Sequence, residues 1–450
     1  MRLRTFTMRT KKHRHVLASP PKILALGFLA CIILGAISLK LPWSTFEPIT
    51  WFEAFFTATS AVTVTGLSLF NVTDQLTLLG KVIISILVQV GGLGFVTFAI
   101  LAASSLGRRI SIDQQVLAME AFNQTNVNKL HHTAFMVIKY TLSIQIIAMA
   151  LLALWWAYTG ESQNNPLYTA VFHVSMAFNN AGFMLFNANP TMFHQDAVTV
   201  GITTLSIIIG GIGFPVLQDI FHHRRWSRLS VYSKVVIIAT IILNIVGFGT
   251  IWAVEANNPL TLQNLPARQQ ALASWLQAVA SRTAGYESMP VESMRHASLI
   301  LLMVYMFIGG GSFSTASGIK INTFIVLYVA VRAYLRQQAD VVLMRRTIPT
   351  STVQKALALV FITVLWIIFG SFFIAIFDDL PFRELLFEVV SAITTTGMSD
   401  GITAKLSTPS QILILVYMYV GRLGPLTLVY VLATRKSSRI SYPETHFQVG

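Results

Sequence analysis

Thr63-Val64-Thr65-Gly66 closes a short run of apolar and small residues, and the same closing returns as Asn179-Asn180-Ala181-Gly182, Arg282-Thr283-Ala284-Gly285 and Thr394-Thr395-Thr396-Gly397. Successive closing glycines stand 116, 103 and 112 residues apart. Before each lies a segment too short and too polar-ended to cross a bilayer: 51–62, 167–178, 273–281 and 382–393. Around these segments run apolar stretches near the roughly 20 residues that cross hydrocarbon. They fall at 22–41, 78–103, 133–158, 198–221, 234–256, 296–331, 355–377 and 410–433. Each quarter therefore reads as span, pore helix, extended loop, span. Non-helical backbone at membrane depth survives only where protein buries it or water reaches it, so the four loops must meet around one axis. Glycine reaches positive φ without steric cost and lets carbonyls turn inward, where they replace a cation's hydration shell. The C-terminal ends of four short helices add partial negative charge at the same axis.

The expected fold is an all-α integral membrane protein of four pseudo-repeated span, pore-helix, span units around a central pore. It has eight transmembrane helices plus four re-entrant pore helices. The units divide the chain into a cytoplasmic N-terminal segment (1–21), pore repeat 1 (22–106), a cytoplasmic link and repeat 2 (107–221), and a link and repeat 3 (222–332). A link and repeat 4 (333–434) and a cytoplasmic tail (435–450) complete it.

Composition agrees: 54% of the 450 residues are hydrophobic and 11% charged, too little polar surface for a soluble protein of several domains. The net charge of +14 raises nucleic-acid binding as a function, and its distribution argues for topology instead. Of 32 Lys and Arg, 22 fall on one side of the eight-span arrangement: Arg2 to Lys22, 107–132, 222–234, 332–355, and Arg435, Lys436 and Arg439. The positive-inside rule places both termini and these loops in the cytoplasm. Acids gather near the outer connections (Glu47, Glu53, Asp74, Glu161, Asp196, Glu287, Glu292, Asp378, Asp379, Glu384 and Asp400). They read equally as a cation-concentrating vestibule or as solvated loop acids. The first apolar run is as long as a full span and lacks a convincing cleavage site, so it is not a signal peptide. Cys31 is the only cysteine, which excludes an intrachain disulfide or a cysteine zinc site.

A second glycine repeat follows each signature: Gly91-Gly92-Leu93-Gly94, Gly210-Gly211-Ile212-Gly213, Gly309-Gly310-Gly311-Ser312 and Gly421-Arg422-Leu423-Gly424. Glycines in a span mark close helix packing or a bend. The first, second and fourth quarters are expected to carry ordinary second spans. In the third, Gly309, Gly310, Gly311, Ser312, Phe313, Ser314, Thr315, Ala316, Ser317 and Gly318 are poor helix formers that interrupt the span. They read as a movable loop beneath the signatures, or as a tightly packed polar crossing. Arg422 stands where the other quarters have small residues, a placement costing about 2.5 to 3.5 kcal/mol at mid-membrane. It serves either as an electrostatic barrier in the aqueous cavity or as a partner of a helix C-terminus or acid. Lys320 serves the gate or snorkels to the interface. Arg282 is expected to brace its loop from behind, with Glu388 a conceivable partner.

With TVTGL, FNNAGF, SRTAGY, TTTGM and the loop GGGSFSTASGIK, nearly the whole chain resembles the Ktr/Trk/HKT superfamily of potassium transporters. Trk-type subunits carry two additional N-terminal spans, whereas about 21 residues precede the first span here, which favours the Ktr branch. The resemblance implies a homodimer with one pore per protomer in the bacterial cytoplasmic membrane, docked on a cytosolic ring of nucleotide-binding regulatory subunits. It assigns the four glycines to potassium selectivity, the loop after Gly309 to the gate and Arg422 to a constriction. Sodium becomes a candidate activator, and the expected partners beyond these are membrane lipids, not nucleic acid. The Asn179-Asn180 pair makes the second wall bulkier and more polar than the others.

A cation-coupled symporter of the same fold is the rival, but proton coupling calls for an intramembrane acid near the pathway. Few are available, with Asp219 at an inner end. A membrane enzyme is the remote alternative. The pairs His131-His132 and His222-His223 are placed in cytoplasmic loops with poor ligand geometry, and no His-Glu-x-x-His pattern occurs.

Overall fold

The computed structural model describes residues 20–94, 127–160, 165–185 and 195–424. In chain order the principal helices are α1 (Pro20–Leu39), α2 (Trp51–Val62), α3 (Leu78–Leu93), α4 (Val127–Thr159), α5 (Pro166–Asn179), α6 (Ala197–Ile212) and α7 (Phe214–His223). They continue as α8 (Val231–Glu255), α9 (Ala267–Ala280), α10 (His296–Phe307), α11 (Ile321–Leu335), α12 (Thr350–Phe377), α13 (Phe382–Thr394) and α14 (Thr408–Leu423). The molecule is an all-α integral membrane fold, save for a short ladder pairing Val342–Leu343 with Arg346–Thr347. Met344 and Arg345 turn that hairpin at φ 47° and 62°, the paired positive values that match strand twist.

Phe135–Thr159, Val231–Glu255 and Thr350–Phe377 are long and apolar enough to cross a membrane alone, at 25, 25 and 28 residues. Shorter apolar helices occupy Ala25–Leu39, Leu78–Leu93, His296–Phe307 and Ile321–Leu335. The expectation of an ordinary second span fails in the second quarter, where α6 and α7 form a pair bent by 98°. The bend falls at Gly213, whose φ of 106° a side-chain-bearing residue rarely adopts. At the corresponding glycines α3 and α14 stop, with Gly94 at φ 78° and Gly424 at 86°. The rest of the expected spans, 95–103 and 425–433, lies outside the described residues, as do 1–19, 107–126, Glu161 and 435–450.

The four short helices α2, α5, α9 and α13 start where local chemistry starts them. Thr50 and Glu53 form a reciprocal capping box before α2, with Thr50 N donating to Glu53 Oε2 at 2.7 Å. Asn165 caps α5, whose first residue is Pro166, while Pro266 and Pro381 precede α9 and α13. α9 begins earlier than the expected 273 because Ala267–Gln270 continue its helical run. Their far ends share one apolar core, in which Ala58, Ala61, Met176, Ala177, Ala278, Ala280 and Phe387 cluster together. Trp51 and Phe382, at the near ends, are exposed instead of packed.

Candidate functional site

The four glycine-closed loops meet. A Cβ built on Gly66 would lie 2.5 Å from the carbonyl oxygen of Ala181 and 2.9 Å from Gly182 Cα. One on Gly182 would lie 3.3 Å from Gly285 Cα, one on Gly285 2.4 Å from Thr396 O, and one on Gly397 1.9 Å from Thr65 O. The loops therefore close a ring in chain order, with third-position carbonyls crowding the neighbouring glycines. No side chain fits at these glycines without moving backbone.

Positive φ extends to the second signature position, which sequence reasoning missed: Val64 57°, Asn180 59°, Thr283 74° and Thr395 49°. Asparagine tolerates this region, but for valine and threonine it is costly, of order 1–3 kcal/mol each. Such strain persists only when neighbours over-determine the backbone, and here they do. In the first quarter Thr65 N donates to Ser60 O at 2.8 Å and Gly66 N to Ser60 Oγ at 2.9 Å. The fourth repeats this with Thr396 N to Ser391 O at 2.9 Å and Gly397 N to Ser391 Oγ at 3.1 Å. Hydroxyl pairs Thr63–Thr65 and Thr394–Thr396 both lie at 2.8 Å. The serine three residues before the first and fourth signatures was the legible signal.

The other two walls are braced differently. Asn179 donates to Gln89 Oε1 and to Ser175 O, each at 2.8 Å. In the third wall the helical bonding runs one residue further, through Ala284 N to Ala280 O at 2.9 Å. Arg282 is buried, and its guanidinium donates to Asn244 Oδ1 at 3.2 Å and Gly309 O at 3.1 Å. Arg282 thus ties its wall to α8 and to the segment that begins at Gly309, and Glu388 is not its partner. That carboxylate accepts from Ser399 Oγ at 2.9 Å and from Thr403 Oγ1.

The leading glycine of the second repeat seats a short helix in three of the four quarters. A Cβ on Gly91, Gly210 or Gly421 would lie 2.0, 1.8 or 2.1 Å from the carbonyl oxygen of Val62, Phe178 or Ile393, in each case the residue before the signature. In the third quarter this seat is absent: a Cβ on Gly309 would instead strike Ser317 O, at 2.0 Å.

Residues 308–320 separate α10 from α11 and form a loop pinned by the second and fourth quarters. Gly311 N donates to Gly211 O at 2.8 Å, Thr315 N to Gly210 O at 3.2 Å, and Phe214 N to Phe313 O at 2.9 Å. Asn180 Nδ2 donates to Thr315 Oγ1 at 2.7 Å, and Thr315 Oγ1 to Phe178 O at 2.9 Å. Arg422 donates to Thr315 O at 2.6 Å, Ser317 Oγ at 2.9 Å and the α3 carbonyls of Gly91 and Gly92. Its guanidinium therefore holds the loop and the C-terminal end of α3 together. Lys320 Nζ donates to Ala316 O at 2.6 Å within the loop, so its ammonium faces the loop and does not snorkel away. Ser312 and Ser314 are partly buried and Phe313 is exposed.

Several of the outer acids are engaged by neighbouring groups. Asp196 and Asp378 cap helices, and Asp400 is buried with Oδ2 at 3.3 Å from Arg383. Glu287 sits beside the signatures and accepts from Ser399 N at 3.1 Å. Asp219, too, is engaged: Ser230 N donates to it at 2.9 Å, Ser233 Oγ donates to the same oxygen, and His223 Nδ1 lies 2.7 Å from the other. His131-His132 falls within α4 and His222-His223 ends α7, so neither pair is in a loop. Among the described residues no cluster of three His, Cys, Asp or Glu is placed to hold a metal ion.

Residues 28–440 match the family model TrkH, described as a cation transport protein. The chain is 40% identical to the Ktr system potassium uptake protein B of Bacillus subtilis over 433 residues, covering 96% of this chain and 97% of that one. It is 36% identical to the protein of the same name from Vibrio alginolyticus, covering 96% and 95%. With the potassium/sodium uptake protein NtpJ of Enterococcus hirae it shares 31% identity, covering 98% and 99%. Among solved structures the potassium transporter TrkH of Vibrio parahaemolyticus matches in fold, with a TM-score of 0.73 at 19% identity over 94% of this chain and 87% of that one.

Proposed function

The chain belongs to the TrkH family of cation transport proteins, and from that premise we infer that it is the ion-translocating subunit of a Ktr-type potassium uptake system. It is a multi-pass protein of the inner membrane and not an enzyme. Potassium is its cargo. The finer reading is a gated pore of eight spans and four re-entrant helices with both termini cytoplasmic. Its filter is made by residues 63–66, 179–182, 282–285 and 394–397, and its gate by residues 309–318 with Lys320 and Arg422. The convergence of four glycines on one another's backbones carries this reading, because it places carbonyl oxygens around a single axis.

A homodimer docked on a KtrA-like ring of nucleotide-binding subunits, with sodium as activator, completes the proposal and follows from kinship with the Ktr proteins. A proton-coupled symporter is the weaker reading, since the bonds that engage Asp219 leave it little freedom as a relay. Expression in a cell lacking potassium transport, with and without a regulatory subunit and sodium, tests the function. Gly66→Ser tests the filter. At φ 105° and 2.5 Å from Ala181 O a side chain must displace backbone, so discrimination against sodium should weaken, on the order of tenfold for each 1.4 kcal/mol lost. An unchanged ratio of potassium to sodium uptake would remove these residues from selectivity.

A further inference from the structure

Behind the second and third walls lies a cavity of about 20 Å³, between α6, α8, the end of α9 and the loop after Gly309. Asn180, Gly211, Thr240, Asn244, Arg282 and Gly310 are among its lining residues. Measured as room for the centre of a water-sized sphere, roughly 10 to 15 Å³ admits one molecule. Three of the lining side chains are buried and carry an atom without a hydrogen-bond partner: Asn180 Oδ1, Thr240 Oγ1 and Arg282 Nε. The first accepts, the last donates, and the hydroxyl does either. Buried polar atoms are seldom left alone, and buried waters typically make about three hydrogen bonds. A cation here would face the guanidinium, and an anion would face the amide oxygen. A neutral molecule that both donates and accepts fits.

We propose that one buried water occupies this chamber, accepting from Arg282 Nε and donating to Asn180 Oδ1 and Thr240 Oγ1. It completes a polar chain gripping both ends of the loop. Arg282 holds Gly309 O at 3.1 Å, the water joins Arg282 to Asn180, and Asn180 holds Thr315 Oγ1 at 2.7 Å. The second and third walls are thereby tied to the loop and to each other. The consequence for transport rests on residues 309–318 being the gate, whereas the water itself does not.

The test uses the full chain in lipid nanodiscs, with structures resolving ordered water for the parent, Thr240→Val and Thr240→Ser, and potassium uptake for the same three. Ordered density within hydrogen-bond reach of all three atoms is expected in the parent and Thr240→Ser, and weak or absent density in Thr240→Val. Uptake without the regulatory subunit should rise about two- to tenfold in Thr240→Val, the range set by one lost hydrogen bond. Selectivity should hold, and the serine variant should behave as the parent. An empty chamber in the parent, or bromide located there by its anomalous signal, overturns the water. Ordered water with equal uptake in the valine and serine variants overturns its link to the gate and leaves the site standing.

Discussion

Arg422 joins a loop and a helix end through one side chain. Its donors reach Thr315 O and Ser317 Oγ on one side and the α3 carbonyls of Gly91 and Gly92 on the other. Charge-assisted bonds of this kind contribute about 1.5–3 kcal/mol each, so losing even one shifts a two-state loop on the order of tenfold. Arg422→Ala should raise the initial rate of uptake by that order, with folded protein checked by size-exclusion chromatography. An intact variant with slower uptake would show that the guanidinium does not restrain the loop. Glu287 stands two residues beyond the third signature. Burial pushes its carboxyl up to about 8, Glu388, Asp400 and Glu292 add to the rise, and the Ser399 N–H opposes it. In the unfolded chain the group ionises near 4.5, so the folded state binds more protons between these values and loses stability as pH rises through them. Above pH 8 the carboxylate is charged and attracts cations. Uptake at low potassium should therefore increase from pH 7 to 9, and Glu287→Gln should flatten that increase.

At the scale of elements, one device recurs at helix starts. Glu255 at the end of α8 accepts from Arg295 N at 2.9 Å and from Ser298 Oγ, the N-cap and third residue of α10. Asp378 after α12 does the same for α14 through Ser407 N at 2.8 Å and Ser410 Oγ. Asp219 of α7 repeats it for α8 through Ser230 and Ser233. Each carboxylate satisfies orphan N-terminal donors and opposes the positive end of the helix dipole, while tying the end of one helix to the start of another. Asp378→Ala strips these acceptors and should cost about 2 kcal/mol or more. The expected result is a lower melting temperature in nanodiscs with an unaltered preference for potassium over sodium. Unchanged melting would mean that the cap is dispensable. The glycine repeats work at the same scale: in the first, second and fourth quarters the leading glycine seats a short helix and the last turns or ends a longer one.

Across the whole molecule, the near-symmetry of the ring and the asymmetry beneath it divide the work. Three quarters place a glycine against the end of a short helix, while in the third that role is lost and Arg282 instead holds Gly309 O. The freed segment between α10 and α11 crosses to residues of the second and fourth quarters, so its position depends on several units at once. Deleting several residues from 311–317 cuts those links. Uptake should rise and its dependence on the regulatory subunit should loosen, measured in transport-deficient cells with and without that subunit. Uptake that stays low and subunit-dependent would show that the loop is not the barrier.

The repeat period, the starts of α2, α5 and α13 and the break between α10 and α11 were legible in sequence because hydrophobic runs, caps and breakers mark them. Hydrophobic length, proline or capping residues and runs of poor helix formers act within a few turns of chain. The break at Gly213 was not, since glycine in an apolar run is compatible with a packed helix or a bend, and only the loop donating to its neighbours selects between them. Positive φ at Val64, Thr283 and Thr395 runs against the preference of those residues and is imposed by surrounding hydrogen bonds. Sequence by itself determined an apolar chain of four glycine-closed units. Tertiary structure alone decided that these closings touch in a ring, that Arg282 turns to Asn244 and Gly309 instead of Glu388, and that Arg422 binds the loop. Those choices depend on which groups meet from 27 to 331 residues apart in the chain, and the energy of an unpaired buried charge or carbonyl is settled only where its partner arrives.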